Sequence, residues 1–268
     1  MSNHERWSGF TLIELAVVLF IIGLLLGGLM IPIATSVEQR NRAETEERLK
    51  AIQDALYGFA VVNGRLPCPD CEASSGCTIN TADDGLEDIN GNFCEVTETS
   101  SAYVGNLPWS TLNVTQFDAW GYAYTYRVSK TYSRAVAACT ATGGTCTACN
   151  PNNTAAFDLC AVGDMNISKT DGGTANVAQN VPAIVISHGK NHYESTQSAE
   201  EVENYERNPS QFGTTTAILA SYSGDVANAI VYKDYTQNSD GDVTYDDMMI
   251  WISPFTLKDK LISAGKLP

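Results

Sequence analysis

The chain has 268 residues, 44% hydrophobic and 18% charged, the make-up of a folded protein long enough for one large domain or two small ones. Lys and Arg number 16 against 31 Asp and Glu, a formal net charge of -15. That balance argues against nucleic acid as a partner, because such binding draws on clustered basic residues, and leaves surplus carboxylate for divalent cations.

Met1 to Gly9 is a short polar leader. Phe10-Thr11-Leu12-Ile13-Glu14 then opens an apolar run, Leu15 to Ala34. A secretory signal peptide is cut after its apolar core. Here the plausible cut, between Gly9 and Phe10, precedes the run, so the apolar segment stays on the mature chain. Its 20 residues are about the length that spans a bilayer as helix. Glu14 stands near its start. An acid at a membrane-helix centre costs about 2.5 to 3.5 kcal/mol on insertion scales, so it normally has a partner and a function. Gly23, Gly27, Gly28 and Pro32 weaken the helix toward its far end, and Pro32 predicts a kink. Arg6 on one side and Arg40 and Arg42 on the other make the positive-inside rule a weak guide to orientation.

Ser36 to Gly64 continues as helix. Glu38 to Lys50 is almost wholly polar, which rules out a bilayer span there. Leu49, Ile52, Leu56 and Phe59 then recur at spacings of three and four, placing them on one face. That face packs most simply on the chain's own sheet. Asn63-Gly64 and Pro67 form a stop. At 1.5 Å per residue, Phe10 to Asn63 makes a rod of roughly 80 Å. Arg65 to Trp109 reads as loop with little regular structure.

Strands are predicted at Tyr122–Val128, Ser133–Ala138, Ala155–Val162, Pro182–Ser187, Thr216–Tyr222, Ala227–Lys233 and Met248–Ile252. Ser253-Pro254 opens a last helix, closed by Gly265. The expected fold class is α+β: a long N-terminal α-helix, with a membrane half and an amphipathic half, packed on a mainly antiparallel β-sheet head with disulfide-tied loops. The expected divisions are a leader at 1–9, a membrane or filament-core helix at 10–35, an amphipathic helix at 36–64 and a β-rich head at 65–268.

Cys68, Cys71, Cys77, Cys94, Cys139, Cys146, Cys149 and Cys160 all follow the membrane segment, so they share one side of the bilayer. An even count in an exported chain reads as disulfides, whose pairing sequence leaves open. Cys68/Cys71 with Cys146/Cys149 is the zinc alternative, disfavoured in an oxidising compartment.

Two acidic loops could hold a cation. Asp240, Asp242, Asp246 and Asp247 cluster around Gly241, and hard carboxylate ligands at a turn suit calcium. Aligned on Gly241, Thr236 and Asp247 break the EF-hand pattern. The plainer reading is a solvated loop. Asp83 to Asn92 is the second such loop, where turn formation alone explains the composition. Ser187-His188 invites a hydrolase reading, but neighbours on extended chain point to opposite faces. No Gly-x-Ser-x-Gly elbow exists. No catalytic constellation emerges, so an enzyme is not expected and no cofactor is required beyond the calcium that the acidic loop could take.

Gly9-Phe10-Thr11-Leu12-Ile13-Glu14 plus the apolar run resembles the N-terminus of type IV pilins and of the pseudopilins of type II secretion. Three further stretches resemble major pseudopilins. They are Asn63-Gly64-Arg65-Leu66-Pro67 at the helix exit, Asp118-Ala119-Trp120-Gly121 before a Tyr-x-Tyr strand, and Ser187-His188-Gly189 ahead of an acidic loop ending in Asp246-Asp247-Met248-Met249-Ile250-Trp251. Ala119 replaces a usual proline, Pro32 lies one residue late, and the insertion His192 to Gln237 is long. The plain alternative for the N-terminus is a signal anchor with a tolerated glutamate.

The resemblance implies that a prepilin peptidase cuts after Gly9 and methylates Phe10. It implies that Glu14 pairs with the N-terminal amine of a neighbouring subunit. It implies a subunit of a type IV pilus-like or pseudopilus filament. Its partners would be copies of itself, other pilins, and an inner-membrane platform with its ATPase. The N-terminus would be cytoplasmic and the head periplasmic until assembly carries it into a periplasmic or extracellular filament. Two rival readings are a minor pilin acting as adhesin or ligand-binding tip, and a membrane-anchored periplasmic enzyme.

Overall fold

The computed structural model describes residues 11–71, 83–90, 93–94, 97–98, 102–133, 155–163, 165–169, 176–191, 201, 204, 229–231, 236–237 and 243–267, with the side chains of 25–34, 90, 93, 97–98, 102, 229–231, 236–237 and 243–244 outside that set. Helix α1 runs Leu12–Asn63. The chain divides into two compact units, Met1–Ala43 and Glu44–Pro268.

In the first unit, α1 begins with a capping box that sequence reading did not anticipate. The Glu14 backbone N–H donates to Thr11 Oγ1 at 3.3 Å, and Glu14 Oε2 accepts from the Thr11 backbone N–H at 3.0 Å. The Thr11 hydroxyl adds a third bond to the same carboxylate oxygen at 2.9 Å. Leu12, Ile13, Leu15, Val17 to Ile22 and Leu24 are all exposed. The helical backbone continues through Pro32. Among the described residues no helix is long and apolar enough to cross a membrane. The run expected to span reaches into 25–34, where side chains fall outside the described set.

The second unit is α+β. Its elements begin with β1 (Ile89–Asn90), β2 (Phe93–Cys94), β3 (Thr97–Glu98), β4 (Ala102–Asn106), α2 (Trp109–Leu112), β5 (Thr125–Ser129) and α3 (Lys130–Ser133). They continue with β6 (Met165–Ser168), β7 (Asn176–Val181), β8 (Ala183–Ser187), β9 (Ala229–Val231), β10 (Thr236–Gln237), β11 (Val243–Tyr245), β12 (Met248–Trp251) and α4 (Pro254–Ser263). The main sheet has the order β12-β8-β5-β4-β3, antiparallel throughout. Strand order follows chain order, so this is a meander with two long insertions, one before β8 and one before β12. Those insertions together build a second sheet, β7-β6-β9, in which β6 and β9 run parallel.

The main sheet is covered on both faces. On one, Leu49, Ile52, Leu56 and Ala60 of α1 join Tyr126, Val128, Val185, Leu257 and Leu261 in a single cluster. On the other, Ile184, Ile186 and Met249 meet Met165, Ile167 and Val181. Strand β8, Ala-Ile-Val-Ile-Ser, is buried at every position, which explains its continuous apolar run. The helix ends where expected: Gly64 has φ +70°, and its N–H closes on the Ala60 carbonyl at 2.8 Å. Ser253 caps α4, its Oγ accepting from Thr256 N at 3.4 Å, and Gly265 follows with φ +68°.

Several expectations are corrected. Arg65–Trp109 contains β4, a five-residue strand inside the main sheet. Its Gly105 and Asn106 look like turn residues. Gly105 is there because a Cβ would lie 2.6 Å from the Asp70 carbonyl oxygen, where the chain crosses beside β4. The strand predicted at Tyr122 starts only at Thr125, because Asp118 holds the preceding residues in a turn. Ala155–Val162 is not a strand. Asp158 Oδ1 accepts from Cys160 N at 3.0 Å, and the Ala161 N–H returns to the Asp158 carbonyl at 3.1 Å, which turns the chain. Ser133 ends α3 rather than opening a strand, and 134–138 lie outside the described residues, as does Thr216–Tyr222. Strands β8 and β12 are each one residue shorter than predicted, and β9 covers Ala229–Val231 of the predicted Ala227–Lys233, whose other residues lie outside the described set.

Cys68 and Cys94 form a disulfide, and Cys71 and Cys160 are disulfide-bonded as well. Cys77, Cys139, Cys146 and Cys149 lie outside the described residues. With Cys68 and Cys71 oxidised, the four-thiolate zinc alternative is closed.

Candidate functional site

Pairing of Met248 with Ser187 puts the turn after β8 and the approach to β12 at the same end of the sheet. After β8 the chain passes through Gly189 at φ +62°. A Cβ there would lie 2.5 Å from Asp246 Cγ, so only glycine lets the Asp246 carboxylate tuck beneath the turn. Asp246 Oδ2 then accepts from the backbone N–H groups of Lys190 at 2.7 Å and Asn191 at 3.3 Å. Its Oδ1 has no hydrogen-bond partner, although the residue is fully buried.

Two more carboxylates face it. Glu201 Oε1 accepts from Asp246 N at 2.7 Å and from Asn191 Nδ2 at 3.1 Å. Asp247 Oδ2 accepts from Asn204 Nδ2 at 2.7 Å, and Asp247 Oδ1 lies 3.6 Å from His188 Nδ1. Glu201, Asp246 and Asp247 each bring a carboxylate oxygen within 4.8 Å of the others, and all three residues are buried.

Burial, with Asp247 and Glu201 as neighbouring acids, raises Asp246 to about 7. Burial raises Asp247 to about 7 as well. His188 cannot balance these charges. Burial and the Arg127 guanidinium push it down to about 3, so it stays neutral and its contact with Asp247 is no ion pair. Its Nε2 meets Thr125 Oγ1 at 2.9 Å. Arg127 donates to the Asn204 carbonyl at 3.1 Å. Three closely spaced buried acids are a donor set of the kind a hard divalent cation takes.

Of the residues read from sequence, Asp246 and Asp247 enter this cluster. Asp240 and Asp242 lie outside the described residues, as do Gly9 and Phe10. Glu201 and Asn204 were missed. They sit in the insertion whose length had looked like a departure from the pseudopilin pattern, in or next to the glutamate-rich stretch Glu200-Glu201-Val202-Glu203, which has no glycine turn to mark it as a ligand loop. The Asp-x-Trp-Gly stretch proves to be architectural. Asp118 Oδ1 accepts from Trp120 N and Tyr122 N, and its Oδ2 takes the Ser187 hydroxyl at 2.6 Å. Ser187 and His188 thus address different partners, Asp118 and Thr125. No family profile matches the chain, and neither curated proteins nor solved structures yielded a match.

Proposed function

We propose that this chain is the subunit of a type IV pilus-like or pseudopilus filament, with a pilin fold, drawn from the inner membrane after its leader is removed. The observation that carries the reading is the start of α1. Ten large apolar side chains between Leu12 and Leu24 stand exposed in the single chain, around the whole helix. A helix apolar on all sides belongs in lipid or among like helices. The Gly9-Phe10 cut site and Glu14 at the head of this segment support the second environment as the end point. In lipid the Glu14 carboxylate needs a partner. A Phe10 amine on a neighbouring copy would supply one and fix the axial step between subunits. In the lone chain Thr11 holds that carboxylate.

Assembly then needs no chemistry from the head. An ATP-driven platform lifts each subunit, and exchange of lipid for neighbouring helices keeps the apolar surface covered. We assign calcium to the Glu201–Asp246–Asp247 cluster, where it would tie the second insertion to the end of the main sheet.

The test is the mature N-terminus by mass spectrometry, with and without prepilin peptidase. The expected product begins at methylated Phe10, and only when the peptidase is present. Electron microscopy of sheared filaments then separates pilus from periplasmic pseudopilus. A protein that keeps Met1 in its host, or never enters a filament, sinks the proposal.

A further inference from the structure

A second site lies away from the carboxylate cluster. Asp70 and Asn106 are backbone partners, each N–H donating to the other's carbonyl at 2.9 Å. Residues directly opposite in an antiparallel pair project their side chains to the same side. Both border one cavity of about 230 Å³, whose other walls include Asp83, Trp109, Phe117 and Tyr124.

The acceptors here outnumber their donors. Asp70 is 1% exposed; its Oδ2 accepts from Gly85 N at 2.9 Å, and its buried Oδ1 has no hydrogen-bond partner. The Asn106 amide gives its Nδ2 to Asp83 Oδ1 at 3.0 Å, which turns its buried Oδ1 into a second acceptor without a partner. Buried acceptors left in this state are costly, and a donor entering the cavity would relieve both.

The adjacent acids are mostly engaged by donors of the chain itself. Asp84 Oδ1 takes Leu86 N, Asp88 Oδ2 takes Cys71 N, and Glu87 is forked by Arg65. Calcium wants six to eight oxygens. This cavity instead sets a carboxylate and an amide oxygen against aromatic walls. That combination suits a group with several N–H donors, a positive charge and an apolar stem: the charge is favoured by carboxylate and ring faces alike. The burial of Asp70 among Asp88, Asp84 and Asp83, which raises its carboxyl to about 7, adds to the gain when a cation arrives.

We propose that this cavity binds an alkylammonium group, the chemistry of a lysine side chain or of a small primary amine. Asp70 and Asn106 receive its N–H donors, and Trp109, Phe117 and Tyr124 enclose its stem. The site is independent of Glu14 and of filament assembly.

The experiment uses the full chain in detergent, with binding followed by saturation-transfer NMR. n-Butylammonium and an end-blocked Ala-Lys-Ala peptide are titrated separately. Saturable binding of either supports the proposal. A peptide at least tenfold tighter than the free amine assigns the site to a protein lysine, and equal binding assigns it to small amines. Asp70→Asn should weaken binding at least tenfold. Because that change touches the Gly85 hydrogen bond, Ala123→Leu serves as a second variant. It fills the cavity, which Ala123 also lines, without altering any charge, and should abolish binding. Three results would overturn the idea: no saturable binding of either probe, neutral n-pentanol binding as tightly as n-butylammonium, or Ala123→Leu binding unchanged.

Discussion

Two acidic regions of the second unit differ in what their carboxylates face. In the segment from Asp84 to Asp88, nearly every acid is answered by a donor. Glu87 takes both Arg65 nitrogens and Cys68 N, Asp88 takes Cys71 N, and Asp84 takes Leu86 N. In the other region, Asp246, Asp247 and Glu201 converge, and one oxygen of Asp246 is left without a donor. Similar composition therefore meets two environments. Backbone N–H groups and a guanidinium make carboxylates into structural ties, whereas buried carboxylates turned on one another raise each other's affinity for a proton.

The largest expected effect tests the first half of that contrast. Glu87→Ala strips Arg65 of two bonds at 2.7 and 2.8 Å in a pair that is mostly buried, and leaves Cys68 N unpaired. Removing one partner of such a pair should cost about 3 kcal/mol, and calcium should not restore it. Urea unfolding with and without calcium checks both statements.

The converse holds for Asp246→Asn. The amide oxygen can still accept from Lys190 N and Asn191 N, and one of three mutually repelling charges is gone. In chelator the variant should match or exceed wild type in Tm. Wild type should gain about 2.7 kcal/mol at calcium a hundredfold above its Kd, and the variant should gain far less. Equal gains in both proteins would remove calcium from this cluster.

Much of this contrast was hidden in the sequence for a physical reason. The helix face Leu49–Ile52–Leu56, the glycine at residue 64, the buried strand β8 and the cap at Ser253 were legible because each is a local pattern with one structural outcome. Asp246 and Asp247 were legible as an acidic loop. Glu201 was not, because it reaches the cluster from 45 residues away in sequence, and nothing local marks a carboxylate that tertiary packing will bury. Strand β4 was lost because Gly105 reads as a breaker. Its reason is the Asp70 backbone beside it, a contact between segments far apart in the chain. Glu14 shows the reverse case. Its spacing from Thr11 is that of a capping box, a local pattern that coexists with the cost of a charge in an apolar run.

Asp70 sits between the two kinds of acid, with one oxygen answered and one not, and pH exposes this. Its carboxyl is raised to about 7 by burial first, then by Asp88, Asp84 and Asp83. In an unfolded chain it titrates near 3.9. Between those values the folded protein holds a proton that the unfolded chain has released. Stability contributed by this group therefore falls as pH climbs from about 4 to 7 and is level above that. Asp70→Asn should flatten this part of the pH profile, closing a gap on the order of 1–2 kcal/mol between about pH 5 and pH 7. Parallel profiles for wild type and variant would show that Asp70 ionises normally.

The smallest effect separates turn-making from cation binding within the first region. Asp84 Oδ1 accepts from Leu86 N at 2.9 Å, two residues on, the bond of an Asx turn. Asn makes the same turn, so Asp84→Asn should leave stability within about 0.5 kcal/mol of wild type. Asp84→Ala loses the bond at a partly exposed site and should cost about 0.5–1 kcal/mol. The ordering Asn ≈ Asp > Ala, unchanged by calcium in a denaturant titration, is what a carboxylate engaged only by its own backbone requires. If Asp84→Asn instead lowers the calcium response of the whole protein, the first region also holds the ion, and the two acidic segments differ in degree rather than in kind.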